Sequence, residues 1–151
     1  MRITYFLVAA AFVFTGCQQQ PSATTESSSE TQYLSPESYA AFPFSEAVVT
    51  GNMIFLSGKL GTTADGLVEG GITPETRQTL DNISSALEKY GSSMDQVVKC
   101  LVMLASIDEW PAMNDVYKEY FPVNKPARSA FGGLELALGA RVEIECAATI
   151  D

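Results

Sequence analysis

One arginine and two glutamates in residues 125–146 are the side chains best suited to chemistry. Arg128 lies in a Pro-Ala-Arg-Ser sequence, and Glu143 and Glu145 alternate with apolar residues further along the chain. The guanidinium presents a planar fork of donors that matches a carboxylate in two-point contact. A glutamate close to it can hold a water and take its proton. This stretch therefore predicts a small pocket that grips a carboxylate with Arg128 and delivers water with Glu143.

The same residues also have simpler interpretations. Arg128 alone is compatible with an ion pair at the surface or at an interface. Glu143 and Glu145 are two positions apart, so they share one face of a strand, and that face can simply be solvated. These alternatives stay open on residue types and spacing alone.

Composition excludes several classes of function. The 151 residues are enough for one domain, and 18 acidic against 9 basic residues give a net charge of -9. Such a chain is a poor candidate for nucleic-acid binding, which rewards clustered Lys and Arg. The chain has no histidine, which removes the Ser-His-Asp triad and most zinc sites. Its three cysteines form no Cys-x-x-Cys pair, so a metal knuckle is unsupported.

Residues 1–17 have the features of a signal peptide. Arg2 precedes an apolar run at residues 3–14 that is too short to span a membrane, and small residues lead to Cys17. The end of this segment resembles a bacterial lipobox, which implies cleavage and lipid modification of Cys17. We therefore expect an exported protein that is anchored by lipid in the cell envelope. By resemblance to Gram-negative lipoproteins, Gln18 directly after the cysteine favours the outer membrane, on its periplasmic side. An ordinary secretory signal and an uncleaved anchor are the alternatives.

Residues 18–32 are rich in Ser, Thr and Gln and predict a flexible tether. The folded domain is then expected to occupy residues 33–151. Cys100 and Cys146 each lie within an apolar run. We expect two buried free thiols, with a disulfide between them as the alternative in an oxidising compartment.

Apolar patterns in the first half of the domain predict a hairpin and a helix. The runs at 46–50 and 53–57 flank a Gly-Asn pair, which is typical of a two-residue turn. Thr73 is expected to cap the helix that follows. The buried stripe predicted for this helix consists of Thr76, Leu80, Ile83, Leu87 and Tyr90.

The second half predicts a strand at 97–105, apolar enough for cover on both faces, and a helix over 109–121 capped by Asp108. Strands at 127–132 and 142–150 complete the order β-β-α-β-α-β-β. This order indicates an α+β domain, a mixed sheet with two helices on one face. Since the helices cover only one face, apolar strands also indicate oligomerisation. The inner stripe of the second helix is predicted to be Trp110, Met113, Tyr117 and Tyr120.

Several sequence blocks, in this order, resemble the Rid (YjgF) family of reactive-intermediate imine deaminases. The likeness extends from residue 42 to the C-terminus, and its specificity comes from the blocks together. The blocks are residues 43–48 (PFSEAV), 57–58 (SG), 76–91 (TRQTLDNISSALEKYG), 95–99, 113–117 (MNDVY), Phe121, 126–129 (PARS) and 142–145 (VEIE).

The resemblance implies a chorismate-mutase-like α+β fold and a homotrimer with active sites between neighbouring subunits. It implies hydrolysis of 2-imino or enamine acids, such as 2-aminoacrylate/2-iminopropanoate, to 2-oxo acids and ammonia. It also implies that no cofactor or metal takes part. The expected partners are small 2-imino and 2-oxo carboxylic acids and further copies of the chain, with no nucleic acid and membrane contact only through the lipid.

Carried over by position, the resemblance assigns Arg128 as the carboxylate clamp and Glu143 as the residue that activates water. Phe44 stands where many imine deaminases have Tyr, and Ala130 where some have Cys, so these departures affect substrate choice. The remaining positions that line the cleft are Ser57 and Asn114. Local hydrogen bonding for those two polar residues, and simple apolar packing for Phe44, are the alternatives.

Three classes of function stay open at this point. The first is an exported, membrane-tethered imine deaminase. The second is a non-catalytic trimer that holds small carboxylates with Arg128, favoured by the missing hydroxyl at Phe44 and by the export signal. The third is a structural or interaction protein on the membrane surface.

Overall fold

A computed structural model describes residues 30–150 of the chain. The helices in this range are α1 (Ile72–Lys89) and α2 (Trp110–Tyr120). The strands are β1 (Gln32–Leu34), β2 (Ala47–Thr50), β3 (Met53–Leu56), β4 (Lys59–Leu60), β5 (Thr62–Thr63), β6 (Gly66–Leu67), β7 (Val97–Leu104), β8 (Ala127–Gly132) and β9 (Val142–Thr149). Between residues 30 and 150, neither helix is long and apolar enough to cross a membrane. The predicted signal peptide with Cys17, and the tether up to residue 29, lie outside the described residues.

The main sheet has the strand order β1-β2-β3-β9-β7-β8, with β4 paired to the remaining part of β9. Its pairs are antiparallel except for β7 and β8, which run parallel. Both helices pack against one side of this sheet, so the predicted mixed α+β architecture is confirmed. The predicted hairpin is confirmed as well, because Thr50 pairs with Met53 across a turn in which Gly51 has a positive φ of 61°.

Both helices form where the periodicity predicted them, but their caps differ from the prediction. Helix α1 begins at Ile72, after Gly71 with a φ of 89°, so Thr73 lies inside the first turn. A glycine accepts this positive φ without a Cβ clash, and it redirects the chain two residues earlier than expected. Asp108 lies in a short 3-10 turn in which Ser106 Oγ accepts a hydrogen bond from its amide, and α2 starts at Trp110.

The core lies between the helices and one face of the sheet. In the long strands, every second side chain points into it. These buried strand residues are Cys100, Val102, Leu104, Val142, Ile144, Cys146 and Ala148. The helical stripes contribute Thr76, Leu80, Ile83, Leu87, Met113, Val116 and Tyr117.

The other side of the sheet, here called the open face, has no cover within the described chain. It carries Phe55 and Phe131, which are 46% and 42% exposed, together with Leu101, Met103 and the two glutamates of β9. The prediction that residues 97–105 are covered on both faces therefore holds for only one face of a single chain. Apolar side chains on the open face would lose their contact with water if another subunit packed there.

A disulfide joins Cys100 of β7 to Cys146 of β9. The expectation of two free thiols was wrong, and the disulfide alternative holds. The antiparallel register sets the two cysteines directly opposite each other on the buried face, with their Cα atoms 4.2 Å apart. Neither their apolar neighbours nor their sequence separation of 46 residues revealed this register.

Candidate active site

Arg128 points toward the helices from β8, the edge strand of the sheet. Its register partner on β7 is the buried Cys100, so both side chains leave the sheet on the helix side. The guanidinium carbon lies 4.6 Å from the ring centre of Tyr117 and 5.9 Å from that of Trp110. Aromatic faces attract a cation through their quadrupole, so these two rings hold the guanidinium from α2.

The donors of Arg128 have no acceptor within the part of the chain that the structure describes. There, the guanidinium groups that bind carboxylates belong to Arg77 and Arg141. A half-buried arginine normally satisfies its fork with a carboxylate or carbonyl. The fork of Arg128 is therefore available to a ligand.

A cavity of about 350 Å³ opens beside this guanidinium. Asn114, a second predicted site residue, lines it together with Arg128, and Ala130 follows two residues later on the same face of β8. We call Arg128, Asn114 and this cavity the arginine half-site. The residues that line it are Asn114, Tyr117, Lys118, Phe121, Lys125, Pro126 and Arg128.

Tyr117 is buried, and its hydroxyl has no hydrogen-bond partner within residues 30–150. Burial raises the pKa of this hydroxyl to about 12, against the opposing effect of the nearby Arg128 charge. Sequence analysis assigned Tyr117 and Trp110 only to the helix stripe. Their spacing of seven residues, two helical turns, was the signal that both could support one cation.

Glu143 lies on the open face, because its register partner on β7 is Met103 and its neighbours along β9 are buried on the other side. Its side chain packs directly against Gly58. A Cβ at that position would lie 2.9 Å from Glu143 Cδ and 3.1 Å from Cγ. Burial, with a smaller contribution from the charge of Glu145, raises the pKa of the Glu143 carboxyl. The carboxylate is therefore a stronger base than a solvated glutamate.

Ser57 directly precedes Gly58, and Phe44 directly precedes Ser45, to which Ser57 is hydrogen-bonded. Ser57 Oγ donates a hydrogen bond to the carbonyl of Ser45 at 2.7 Å, which is the local use that its sequence context allowed. Phe44 is half exposed and stacks on Phe42 at 5.2 Å between ring centres. We call Glu143, Gly58 and Ser57 the glutamate half-site.

The two half-sites lie on opposite faces of the sheet within one chain. Arg128 shares the helix side with Cys100, whereas Glu143 shares the open face with Met103. A single copy therefore does not bring the carboxylate clamp and the candidate base together. This separation depends on strand register, which residue types alone do not give.

Glu75 is a positioning residue that sequence analysis missed. Its Oε1 accepts hydrogen bonds from the backbone amides of Arg141 at 2.6 Å and Val142 at 3.2 Å. This buried carboxylate of α1 thus fixes the start of β9, one residue before Glu143. Its place in the first turn of α1 was the available signal. An acidic residue there usually interacts favourably with the helix dipole, so this position did not by itself reveal the contact with β9. Within residues 30–150, no three acidic or cysteine side chains gather closely enough to hold a metal ion.

Comparison with known proteins places this arrangement in a family. The model of the family described as Endoribonuclease L-PSP matches residues 35–150. The 2-iminobutanoate/2-iminopropanoate deaminase of Capra hircus is 45% identical over 108 residues, which cover 70% of this chain and 79% of that protein. Protein HMF1 of Saccharomyces cerevisiae is 43% identical over 110 residues, covering 72% and 85%.

Solved structures agree with the sequence comparison. The yeast protein YEO7 superposes with a TM-score of 0.75 at 39% identity, over 81% of this chain and 100% of the yeast chain. The YjgF gene product of E. coli superposes with a TM-score of 0.71 at 27% identity, over 78% and 98%. The chain therefore belongs to the Endoribonuclease L-PSP family, the YjgF family that its sequence blocks resemble.

Proposed function

We propose that this chain hydrolyses 2-imino and enamine acids of the 2-aminoacrylate/2-iminopropanoate type to 2-oxo acids and ammonia. The observation that carries this proposal is Arg128, held over two aromatic rings beside a cavity, with no acceptor for its fork in residues 30–150. Relatives named 2-iminobutanoate/2-iminopropanoate deaminase, at 45% identity in goat and 39% in human, support it. A chain with a net charge of -9 and no histidine gives no support to cleavage of RNA.

The reaction needs little beyond binding and a positioned water. Arg128 holds the carboxylate of the substrate, which places the imine carbon. The water oxygen bonds to the carbon of the protonated imine while Glu143 takes a proton from the water and the electron pair of the carbon–nitrogen double bond moves to nitrogen, giving a carbinolamine. Glu143 then gives this proton to the nitrogen, which leaves as ammonia, and the carboxylate takes the hydroxyl proton as the carbon–oxygen double bond forms. The raised pKa of Glu143 suits this exchange of a proton with water and nitrogen.

The proposal includes a homotrimer in which the arginine half-site of one subunit faces the glutamate half-site of its neighbour. Two features support it: the half-sites lie on opposite faces of the sheet, and the open face exposes Phe55 and Phe131. Mixing two inactive variants tests the arrangement. Arg128→Ala and Glu143→Gln subunits refolded together regain activity if each site takes its two residues from different chains. No regain, despite mixed assemblies by native mass spectrometry, contradicts it.

An assay on residues 30–151 tests the activity itself. A 2-imino acid is generated in the reaction by an amino-acid oxidase, and semicarbazide traps the imine that has not been hydrolysed. Faster loss of imine than in buffer, abolished in Arg128→Ala, is the expected result. A rate equal to that of buffer contradicts deamination. If 2-oxobutanoate nevertheless binds by calorimetry in an Arg128-dependent manner, the non-catalytic carboxylate-binding trimer replaces it.

The proposal also covers location: an exported protein, lipid-anchored through Cys17, in the outer membrane facing the periplasm. The Cys100–Cys146 disulfide supports export, because such bonds persist mainly in oxidising compartments. Cells fed a labelled fatty acid should label the full-length chain, whereas the Cys17→Ala variant should stay unlabelled. Equal labelling of the two, or none of either, contradicts the anchor.

A further inference from the structure

The cavity beside Arg128 is cationic although the chain is acidic. Three of the residues that line it are Lys118, Lys125 and Arg128, and none is Asp or Glu. The chain as a whole has 18 acidic residues and only 9 basic ones. Because the three cations line one cavity, an anion bound in it meets their combined positive charge. A substrate with a single carboxylate, bound to Arg128, leaves part of the positive charge of this cavity without a partner.

The two lysines differ in how free they are. Lys118 donates to Asp115 at 2.8 Å, so its charge is already partly neutralised. Lys125 belongs to none of the ion pairs formed within residues 30–150. It precedes Pro126 and lies three residues before Arg128, so one short segment brings both cations to the same cavity.

The remaining lining suits a short apolar linker between two charged ends. Tyr117, Phe121 and Pro126 supply apolar surface, and rings fix the Arg128 end. The volume of about 350 Å³ falls within the range of small-molecule sites, about 300–1,000 Å³. It has room for more than the three or four carbons of 2-iminopropanoate or 2-iminobutanoate.

We propose that the preferred substrates are dicarboxylic 2-imino acids of the 2-iminoglutarate class, with Lys125 as the residue that determines this specificity. The inference rests on the proposed deaminase activity. Arg128 takes the carboxylate next to the imine carbon, Lys125 takes the distal carboxylate, and the methylenes lie against Tyr117 and Phe121. An alkyl imino acid makes the first contact but leaves Lys125 without a partner.

Paired kinetics on 2-iminoglutarate and 2-iminobutanoate test this assignment. An oxidase acting on glutamate or 2-aminobutanoate generates each imine, and the buffer rate is subtracted. We expect kcat/KM about three- to tenfold higher for 2-iminoglutarate in the wild type, as for one ordinary hydrogen bond, because Lys125 is exposed to solvent. Lys125→Gln should remove this preference through KM, because it should lower kcat/KM on 2-iminoglutarate about three- to tenfold more than on 2-iminobutanoate. Lys118→Gln, which removes the same charge from the same cavity, should lose less because Asp115 already pairs with Lys118.

Equal kcat/KM for the two imines in the wild type overturns the inference, as does an equal loss on both imines in Lys125→Gln. Equal losses in the two lysine variants overturn the specific role of Lys125. If neither imine is hydrolysed, the proposed activity has failed, and calorimetry decides the remaining point. Tighter binding of 2-oxoglutarate than of 2-oxobutanoate, equalised by Lys125→Gln, would uphold the dicarboxylate site, and equal affinities would refute it.

Discussion

Two clusters of charged and aromatic side chains in this small domain differ in whether the charge at their centre has a partner in the same chain. The carboxylate of Glu46 is buried and accepts hydrogen bonds from Lys59 at 2.9 Å, Lys89 at 2.7 Å and Tyr90 at 2.7 Å. The guanidinium of Arg128 is also flanked by aromatic rings, but no carboxylate within residues 30–150 meets it. The first cluster is closed by its own chain, and the second is left open.

The pKa of Glu46 reflects this closure. Burial acts to raise it, but the hydrogen bonds from Lys89, Lys59 and Tyr90 together outweigh burial and hold the pKa at about 2. Lys59 also donates to Tyr39. The cluster thereby ties the residue before β2 to β4 and to the end of α1. A charged group whose partners are all present stabilises the fold, whereas one that is held in place without partners is suited to a ligand.

Removing the charge of Arg128 should have the largest effect of these changes. It should lower activity without lowering stability. Arg128→Ala should lower kcat/KM on 2-imino acids by about 10²- to 10³-fold, because two charge-assisted hydrogen bonds to the substrate are lost. The free energy of unfolding in urea should change by less than about 1 kcal/mol, because Arg128 forms no ion pair with the residues from 30 to 150. Arg128→Lys keeps the charge without the fork and should fall between the two proteins. A large loss of stability in Arg128→Ala would instead mean that the arginine is structural.

Removing the charge of Glu46 should instead lower stability and leave activity unchanged. Glu46→Gln should lower the free energy of unfolding by about 3 kcal/mol, since Lys59 stays buried without its counter-charge. The activity of the folded fraction should not change. Glu119→Gln is the matched control, because its ion pair with Arg77 is exposed and should contribute less than about 1 kcal/mol. Equal losses in the two variants would refute a special role for the Glu46 cluster.

Acid titration separates the Glu46 cluster further. The folded pKa of Glu46 is about 2, below the ordinary value of about 4.3 in an unfolded chain. Its stabilisation is therefore present above pH 4.3 and is lost as the pH falls toward 2. Urea midpoints measured across this window should fall more steeply in the wild type than in Glu46→Gln.

Crowding the candidate base should have an intermediate effect. Gly58→Ala places a methyl group against the Glu143 side chain, which must move while the backbone can stay. We expect kcat/KM to fall by about 10- to 100-fold, as for a displacement of about 1 Å in a catalytic group. Adding Gly58→Ala to Glu143→Gln should cost nothing more, because both changes act through one side chain. Additive losses would place the role of Gly58 elsewhere.

The smallest expected effect is on pH dependence. Because burial raises the pKa of Glu143 and ionised Glu143 is the proposed base, kcat/KM should rise with pH through a value above the ordinary glutamate pKa of about 4.3. Glu145→Gln removes the secondary cause, so this rise should move to lower pH but remain above 4.3. A rise centred at or below 4.3 in the wild type would argue against Glu143 as the base.

The local structure was predictable from the sequence because it depends on local patterns. The Gly51-Asn52 turn, the α1 stripe and the alternation along β9 each follow from spacing within one segment. The residue types at Arg128 and Glu143 likewise suggested their chemistry.

Features that depend on strand register could not be predicted. Register decides that Cys100 meets Cys146, and that Arg128 leaves the sheet on the opposite side from Glu143. It joins residues far apart in sequence, and a shift by one position would exchange the two faces. The packing of Arg128 on Tyr117 and the contact of Glu143 with Gly58 are also tertiary contacts, which local sequence patterns do not predict.

The disulfide also determines whether the two pieces of a protease-cleaved chain stay together. It closes a covalent loop from Cys100 to Cys146 that contains both Arg128 and Glu143. The exposed segment 122–125 lies within that loop, and exposed loop tips are where nicking concentrates. A chain cleaved in this segment stays covalently linked. Arg128, on the C-terminal piece, remains joined to the N-terminal piece through the disulfide between β9 and β7. Such a nicked protein should run as two fragments on a gel with reductant and as one band without it.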